Sequence, residues 1–234
     1  MDVRRKRGVD SLERAFELLE AFRDAPDSLS LSDLAAKTGL YKSTILRLFV
    51  SLERYGYLVR VESGRFALGS TLFELGNVYR KMFRLVDRVR PVLERLAAQT
   101  KESASFWVLE NGHRVCLCRV ESPQNVREAM FREGDRRPLD KGPTSTLLRA
   151  FSGARGKRFD EVRRDVAAVS IGLYRTDVAG ISCPVFAPVG ELAGAVTLTG
   201  PRQRFDERAV GRMKAAVSAA AEEITRSLAA KPWK

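Results

Sequence analysis

Residues 31–54 read LSDLAAKTGLYKSTILRLFVSLER. Ala35 is small enough to let two helices approach closely. Gly39, four residues on, stands where a tight turn needs a left-handed backbone. Ile45 and Leu48 then fall where a second helix would seat against the first, with Leu34 closing the other side of that small core. This order of small residue, glycine and two aliphatics is what a helix-turn-helix requires. With Ile45, Leu48, Phe49 and Leu52 inward, helical spacing turns Ser43, Thr44, Arg47, Ser51 and Arg54 outward. Short hydroxyls and long cations on one face suit phosphate oxygens and base edges in a major groove.

Working outward, Tyr41 and Lys42 stand at the start of that second helix, where the dipole favours phosphate. Arg60 and Arg65 flank a predicted hairpin, 57–61 and 65–68, and are expected to contact the nucleic-acid backbone as a wing. Five Lys/Arg against two acids occupy residues 41–65. Arg4, Arg5 and Arg7, with Lys6, form a basic arm fit to follow phosphates or enter a minor groove. A preceding helix is expected over 11–22, capped by Ser11, with Leu12, Phe16, Leu19 and Phe22 on its apolar side. Ser32 is expected to cap the next, over 32–37.

Charge alone does not locate the interface. The chain carries a formal net charge of +12. Residues 1–80 hold 13 Lys/Arg against 11 Asp/Glu, and the remainder 28 against 18, so only the local pattern around residues 41–65 marks the first half as the nucleic-acid binder. No apolar run approaches the roughly 20 residues needed to span a bilayer, and the basic start lacks a signal peptide's apolar stretch. Three cysteines and one histidine are too few for a disulfide framework or a His-based metal or triad site. The expectation is therefore a cytoplasmic protein with no metal, no cofactor and no catalytic residue.

Beyond the hairpin, residues 70–88 are expected to form one linker helix, and Pro91 to open another ending near Thr100. Strands are expected at 105–109, 115–120, 126–131, 181–186 and 192–198. Helices are expected at 144–151, at 159–169 and in a long C-terminal stretch capped by Asp206. Cys116 and Cys118 are expected on one side of their strand, and Phe106 and Trp107 on opposite sides. This gives an α+β chain: a winged helix-turn-helix over 1–69, a linker helix over 70–90 and an α/β domain with an antiparallel sheet over 91–234.

SLERAFELLEAF (11–22), LSLSDLAAKTGLYKSTILRLFVSLERYGYLVR (29–60) and GRFALGSTLFELG (64–76) resemble the DNA-binding half of the IclR-type regulators. The resemblance continues in RPVLERLAAQTKESASFWVLENGHRVCLCRV (90–120), RRPLDKGPTSTLLRAF (136–151) and ISCPVFAPVGELAGAVTLTGP (181–201). It implies a GAF-like second domain that binds a small, usually carboxylate or aromatic, metabolite. It also implies a homodimer, formed through the N-terminal domain, that often pairs again into a tetramer, acting on an operator in double-stranded DNA near catabolic genes. On the family's pocket fall Thr144 and Ser145, the Thr197 and Thr199 pair, Ser182 or Cys183, and Asp177. Asp140 stands where many members have histidine, and Pro143 replaces a small residue. Two other readings compete. One is a ligand-binding or enzymatic second domain whose winged helix docks proteins; the other is a DNA-binding regulator with no ligand.

Overall fold

The computed structural model describes residues 8–23, 25, 27–61, 64–82, 85–128, 130–173, 175–188 and 190–230. The chain divides into two compact units, 1–82 and 83–234.

The first unit contains α1 (Asp10–Glu20), α2 (Leu31–Thr38), α3 (Lys42–Arg54), the antiparallel strands β1 (Leu58–Arg60) and β2 (Phe66–Leu68), and α4 (Ser70–Met82). Leu18, Phe22, Leu34, Ile45, Phe49, Leu58 and Phe66 are its buried core. Phe49 meets Phe66 edge to face at 4.6 Å, which ties the second helix of the motif to the wing. Leu29 bridges Phe66 through two backbone hydrogen bonds of 2.8 Å, adding a third strand-like segment to the hairpin.

Both expected caps lie elsewhere. Helix α1 begins at Asp10, with Val9 before it and no side-chain cap. Helix α2 is capped by Ser30, not Ser32. The Ser30 hydroxyl accepts from the Asp33 N–H, and the Asp33 carboxylate accepts from the Ser30 N–H, a complete capping box with Asp at its third position. Gly39 ends α2 at φ +70°, as its position required. The expected face of α1 is only half right: Phe22 is buried, but Leu12 and Phe16 are exposed and Leu18 takes the core position.

The second unit is a six-stranded antiparallel sheet in the order β5-β4-β3-β8-β7-β6. Its strands are β3 (Ser103–Glu110), β4 (His113–Val120), β5 (Arg136–Pro138), β6 (Ala168–Ile171), β7 (Val178–Phe186) and β8 (Leu192–Pro201). Helices α5 (Leu85–Thr100) and α8 (Glu207–Ala230) cover one face. Helices α6 (Pro143–Phe151) and α7 (Lys157–Asp165) cover the other. Asp206 caps α8 as expected, its carboxylate accepting from the Ala209 N–H at 2.7 Å.

Several expectations are corrected here. The helix expected over 70–88 divides into α4 and α5, and Pro91 lies within α5. Leu85, Val89, Val92, Leu93 and Leu96 form a buried stripe along that helix; burying it outweighs the one backbone hydrogen bond that proline removes. None of the described residues of 126–131 pairs with a strand; Glu128 and Phe131 are buried individually, and pairing resumes at β5. The helix expected over 159–169 stops at Asp165. Val166 turns left-handed at φ +49°, and β6 begins two residues later.

Candidate functional site

In the first unit, α3 presents the face that its sequence encodes. Ile45 and Phe49 are buried and Leu48 and Leu52 half-buried, while Lys42, Ser43, Arg47, Ser51 and Arg54 are exposed and Thr44 is half-exposed. Tyr41, just before the helix, is 84% exposed. The first backbone N–H groups of α3 have no side-chain cap and join Tyr41 and Lys42 at the positive end of the helix dipole. Leu46 and Val50 also lie outward, Val50 at 55% exposure. Helical spacing puts Val50 in one stripe with Ser43, Arg47 and Arg54. Neither was among the residues expected on the outward face; the wheel position of Val50 was the available signal.

The two wing arginines are placed differently from each other. Arg60 is exposed, with its guanidinium over the Phe49 and Phe66 rings at 5.4 and 5.2 Å. Arg65 is turned inward. Its Nε donates to the Ser28 hydroxyl at 2.9 Å, an Nη donates to the Ser28 carbonyl at 2.8 Å, and it faces Asp33 at 3.6 Å. It clasps the wing to the start of α2 rather than reaching outward from the tip. Arg4, Arg5 and Arg7 lie outside the described residues.

In the second unit, the α6 side of the sheet holds a cavity of about 30 Å³ lined by Arg114, Phe131, Gly142, Pro143, Thr144, Ser170, Val178, Ala179, Gly180 and Thr199. Thr144 hydrogen-bonds Thr197 at 2.9 Å, and Thr197 bonds Ser182. Three elements, α6, β8 and β7, thus meet in one buried hydroxyl chain. Thr197 and Thr199, two residues apart on β8, do share a face: the Thr199 hydroxyl donates to Glu128 at 3.0 Å. Ser145 is wholly buried, and its hydroxyl has no partner among the described residues. Helix α6 opens on Gly142 and Pro143 without a side-chain cap.

Two expected pocket residues lie elsewhere. Cys183 follows Ser182 on β7 and so faces the opposite side, packed into the α5/α8 core. It borders a separate groove of about 190 Å³ with Phe186, Glu222 and Thr225. Asp177 lies outside the cavity lining, exposed and held by the Arg175 guanidinium at 2.9 and 3.0 Å. Of the alternatives on β7, Ser182 is the residue that joins the hydroxyl chain.

The cysteines show why register matters. Phe106 pairs with Cys118 but Trp107 with Cys116, a bulge at Leu117. The extra residue puts Cys116 on the cavity side and Cys118 on the α5/α8 side, correcting the expectation of one shared face. Phe106 and Trp107 do face opposite layers. Burial pushes the Cys116 thiol far up and the Cys118 and Cys183 thiols to about 12, so all three stay protonated and weakly nucleophilic at neutral pH. Among the described residues, no three His, Cys, Asp or Glu side chains gather in a way that could hold a metal ion.

Residues 11–62 match the IclR helix-turn-helix domain, and residues 156–226 match the bacterial transcriptional regulator IclR C-terminal domain. The chain belongs to the IclR family of transcription regulators. It is a DNA-binding transcription regulator, as its relatives are, and they are not enzymes. The HTH-type transcriptional regulator BhcR of Paracoccus denitrificans is 27% identical, over 95% of this chain and 88% of that protein. The transcriptional repressor IclR of Escherichia coli is 25% identical, over 93% and 89%. Among solved structures, an IclR homologue from Microbacterium hydrocarbonoxydans complexed with 4-hydroxybenzoate has a TM-score of 0.78 at 22% identity, covering 93% of this chain and 100% of that one. That likeness extends to the fold of this IclR-family regulator.

Proposed function

We propose that this regulator binds an operator through α3 and is controlled by a small organic acid taken up in the second unit. The α3 surface carries the reading: an apolar stripe seated in the core, and on the opposite side Ser43, Thr44, Arg47, Ser51 and Arg54 exposed together. In this reading Arg47 and Ser43 meet base edges. Val50 and Leu46 supply apolar contact of the kind a thymine methyl offers. Tyr41, Lys42, Arg54, Arg60 and the basic arm hold phosphates. Arg65 contributes indirectly, by fixing the wing.

The pocket role falls to Thr144, Ser145, Ser182, Thr197 and Thr199, which surround or back the cavity beside the α6 N-terminus. The relative that carries 4-hydroxybenzoate supports a carboxylate or aromatic acid as ligand. Among the described residues, no helix is long and apolar enough to cross a membrane, which suits a protein working on DNA in the cytoplasm.

A homodimer is the reading for assembly. Leu12 and Phe16 of α1 are exposed, Phe16 at 56%, and so are Phe73, Leu75 and Val78 of α4, Phe73 at 73%. Apolar faces of this kind on two helices of one small unit mark an interaction surface. Two copies would set two α3 helices on successive turns of one DNA face.

The test is binding to the DNA flanking the chain's own gene, followed by fluorescence anisotropy as salt is raised, with and without candidate acids. The reading predicts specific binding that falls steeply with salt and that one of the acids shifts. Absence of specific DNA binding, together with capture of a protein by the first unit, would replace it with the docking reading.

A further inference from the structure

The other face of the sheet in the second unit, the α8 side, holds a larger space. Strand β6 pairs with β7 only from Ala179 to Ser182, so among the described residues β7 beyond Ser182 pairs with β8 alone. Pro184, which has no N–H to give a neighbour, stands on that freed edge, where a strand tolerates proline. The Phe186 N–H donates to the Thr225 hydroxyl of α8 at 3.1 Å. Ser218, Ala221, Glu222 and Thr225 share one side of α8 by helical spacing and face this place. The groove of about 190 Å³ lies between them, the end of β7 and Val166. Val166 is one of three non-glycine residues with positive φ among the described residues, and the one that is β-branched. Backbone strain of this kind collects at ligand sites, and the half-exposed Val166 side chain forms part of the wall.

The chemistry of the groove is apolar and without net charge. Val166, Pro184, Phe186 and Ala221 supply hydrocarbon, and burial keeps the Cys183 thiol neutral at pH 7. At the rim Glu222 faces Arg226 at 3.9 Å, so one charge of each sign meets there. Hydrogen-bonding groups remain: the Thr225 hydroxyl accepts from Phe186 and keeps its own hydrogen to donate, and the Glu222 carboxylate has acceptor capacity beyond the Ser218 hydroxyl that donates to it at 3.3 Å. An engineered apolar cavity of about 150 Å³ in another protein takes benzene, so this groove is large enough for one ring with a substituent.

The geometry points to the groove as a second ligand site of the regulator, taking a neutral molecule of about one ring that carries a hydroxyl. It goes beyond the acid pocket and does not rest on it, because the two lie on opposite faces of the sheet. The ring packs against Val166, Pro184 and Phe186, while the hydroxyl donates to Glu222 and accepts from Thr225.

Isothermal titration and saturation-transfer NMR of the full chain test this with phenol, benzyl alcohol and cyclohexanol, with anisole as phenol lacking its donor and benzoate as the charged counterpart. At least one alcohol is expected to saturate with a dissociation constant of about 1 mM or lower, and anisole to bind about fivefold more weakly than phenol. Ala221→Phe, which fills the groove, is expected to weaken the alcohol at least tenfold and to leave any benzoate binding unchanged. Circular dichroism checks its fold; should it not fold, Ser218→Phe, at a half-buried position on the same side of α8, decides. No saturable binding of the three alcohols, or unchanged binding in a folded variant, overturns the site. Anisole equal to phenol overturns the hydroxyl, and benzoate lost together with the alcohol overturns the neutral class. A wild-type mass in light scattering that falls in the variants would show a second copy of the chain covering the groove, and overturns the ligand site as well. None of these outcomes decides the acid pocket, whose failure is read from the acids alone.

Discussion

Glu102 is the carboxyl group that the fold disfavours most plainly in its charged form. It is buried, one oxygen has no partner among the described residues, and burial raises its pKa from an ordinary carboxylate value to about 7 even with Arg204 beside it. In the folded chain it therefore holds its proton across a range where the unfolded chain has released it. A folded pKa above the unfolded one makes stability fall as pH rises from about 4.5 to 7. Glu102→Gln is expected to flatten this dependence and to raise the melting temperature more at pH 8 than at pH 5. Thermal unfolding at the two pH values checks it, and an equal change at both would contradict it. At this scale the sequence was legible where alternation is regular: Thr197 and Thr199 share a face, and Phe106 and Trp107 split. It was not legible at Cys116 and Cys118, because a single bulged residue, set by tertiary pairing, inverts the parity of every side chain beyond it.

Helices and strands were readable where their signals are local. Gly39 marks the turn between α2 and α3, and nothing lies within 4 Å of where its Cβ would be. Gly39→Ala is thus expected to cost only backbone strain, about 1–2 kcal/mol, measured by urea denaturation. Ser30→Ala removes the α2 capping box and is expected to cost about 1 kcal/mol by the same assay; Ser32→Ala, at the position the sequence first suggested, is expected to change stability little. The misplaced cap reflects two serines competing within three residues, which only the Asp33 carboxylate resolves. Helix α7 ran over into β6 on paper because its end is a left-handed valine, a residue that carries no stop signal. Proline inside α5 misled for the opposite reason: a local breaker was overruled by a buried stripe.

At the scale of the molecule, the separation of a winged-helix unit from an α/β unit was legible in the helical stretch expected over 70–90, within which the two units divide, whereas the cavity was not. Its lining comes from residues as far apart as Arg114 and Thr199, brought together by strand order that no local pattern encodes. Assembly is a further property of the whole chain. Phe16→Glu combined with Phe73→Glu is expected to convert a dimer to a monomer in light scattering and to weaken operator binding. A dimer of unchanged mass would place the contact elsewhere.

The outward stripe of α3 is the surface on which operator binding depends in this reading. The decisive measurement is the equilibrium affinity of wild type and Arg47→Ala for the operator beside the chain's own gene and for a scrambled duplex, across a salt series. Affinity for the operator is predicted to drop by about 1–3 kcal/mol in the variant, with relaxed preference over the scrambled duplex, and wild-type binding to weaken steeply as salt rises. Identical affinities and identical preference in the two proteins would contradict it.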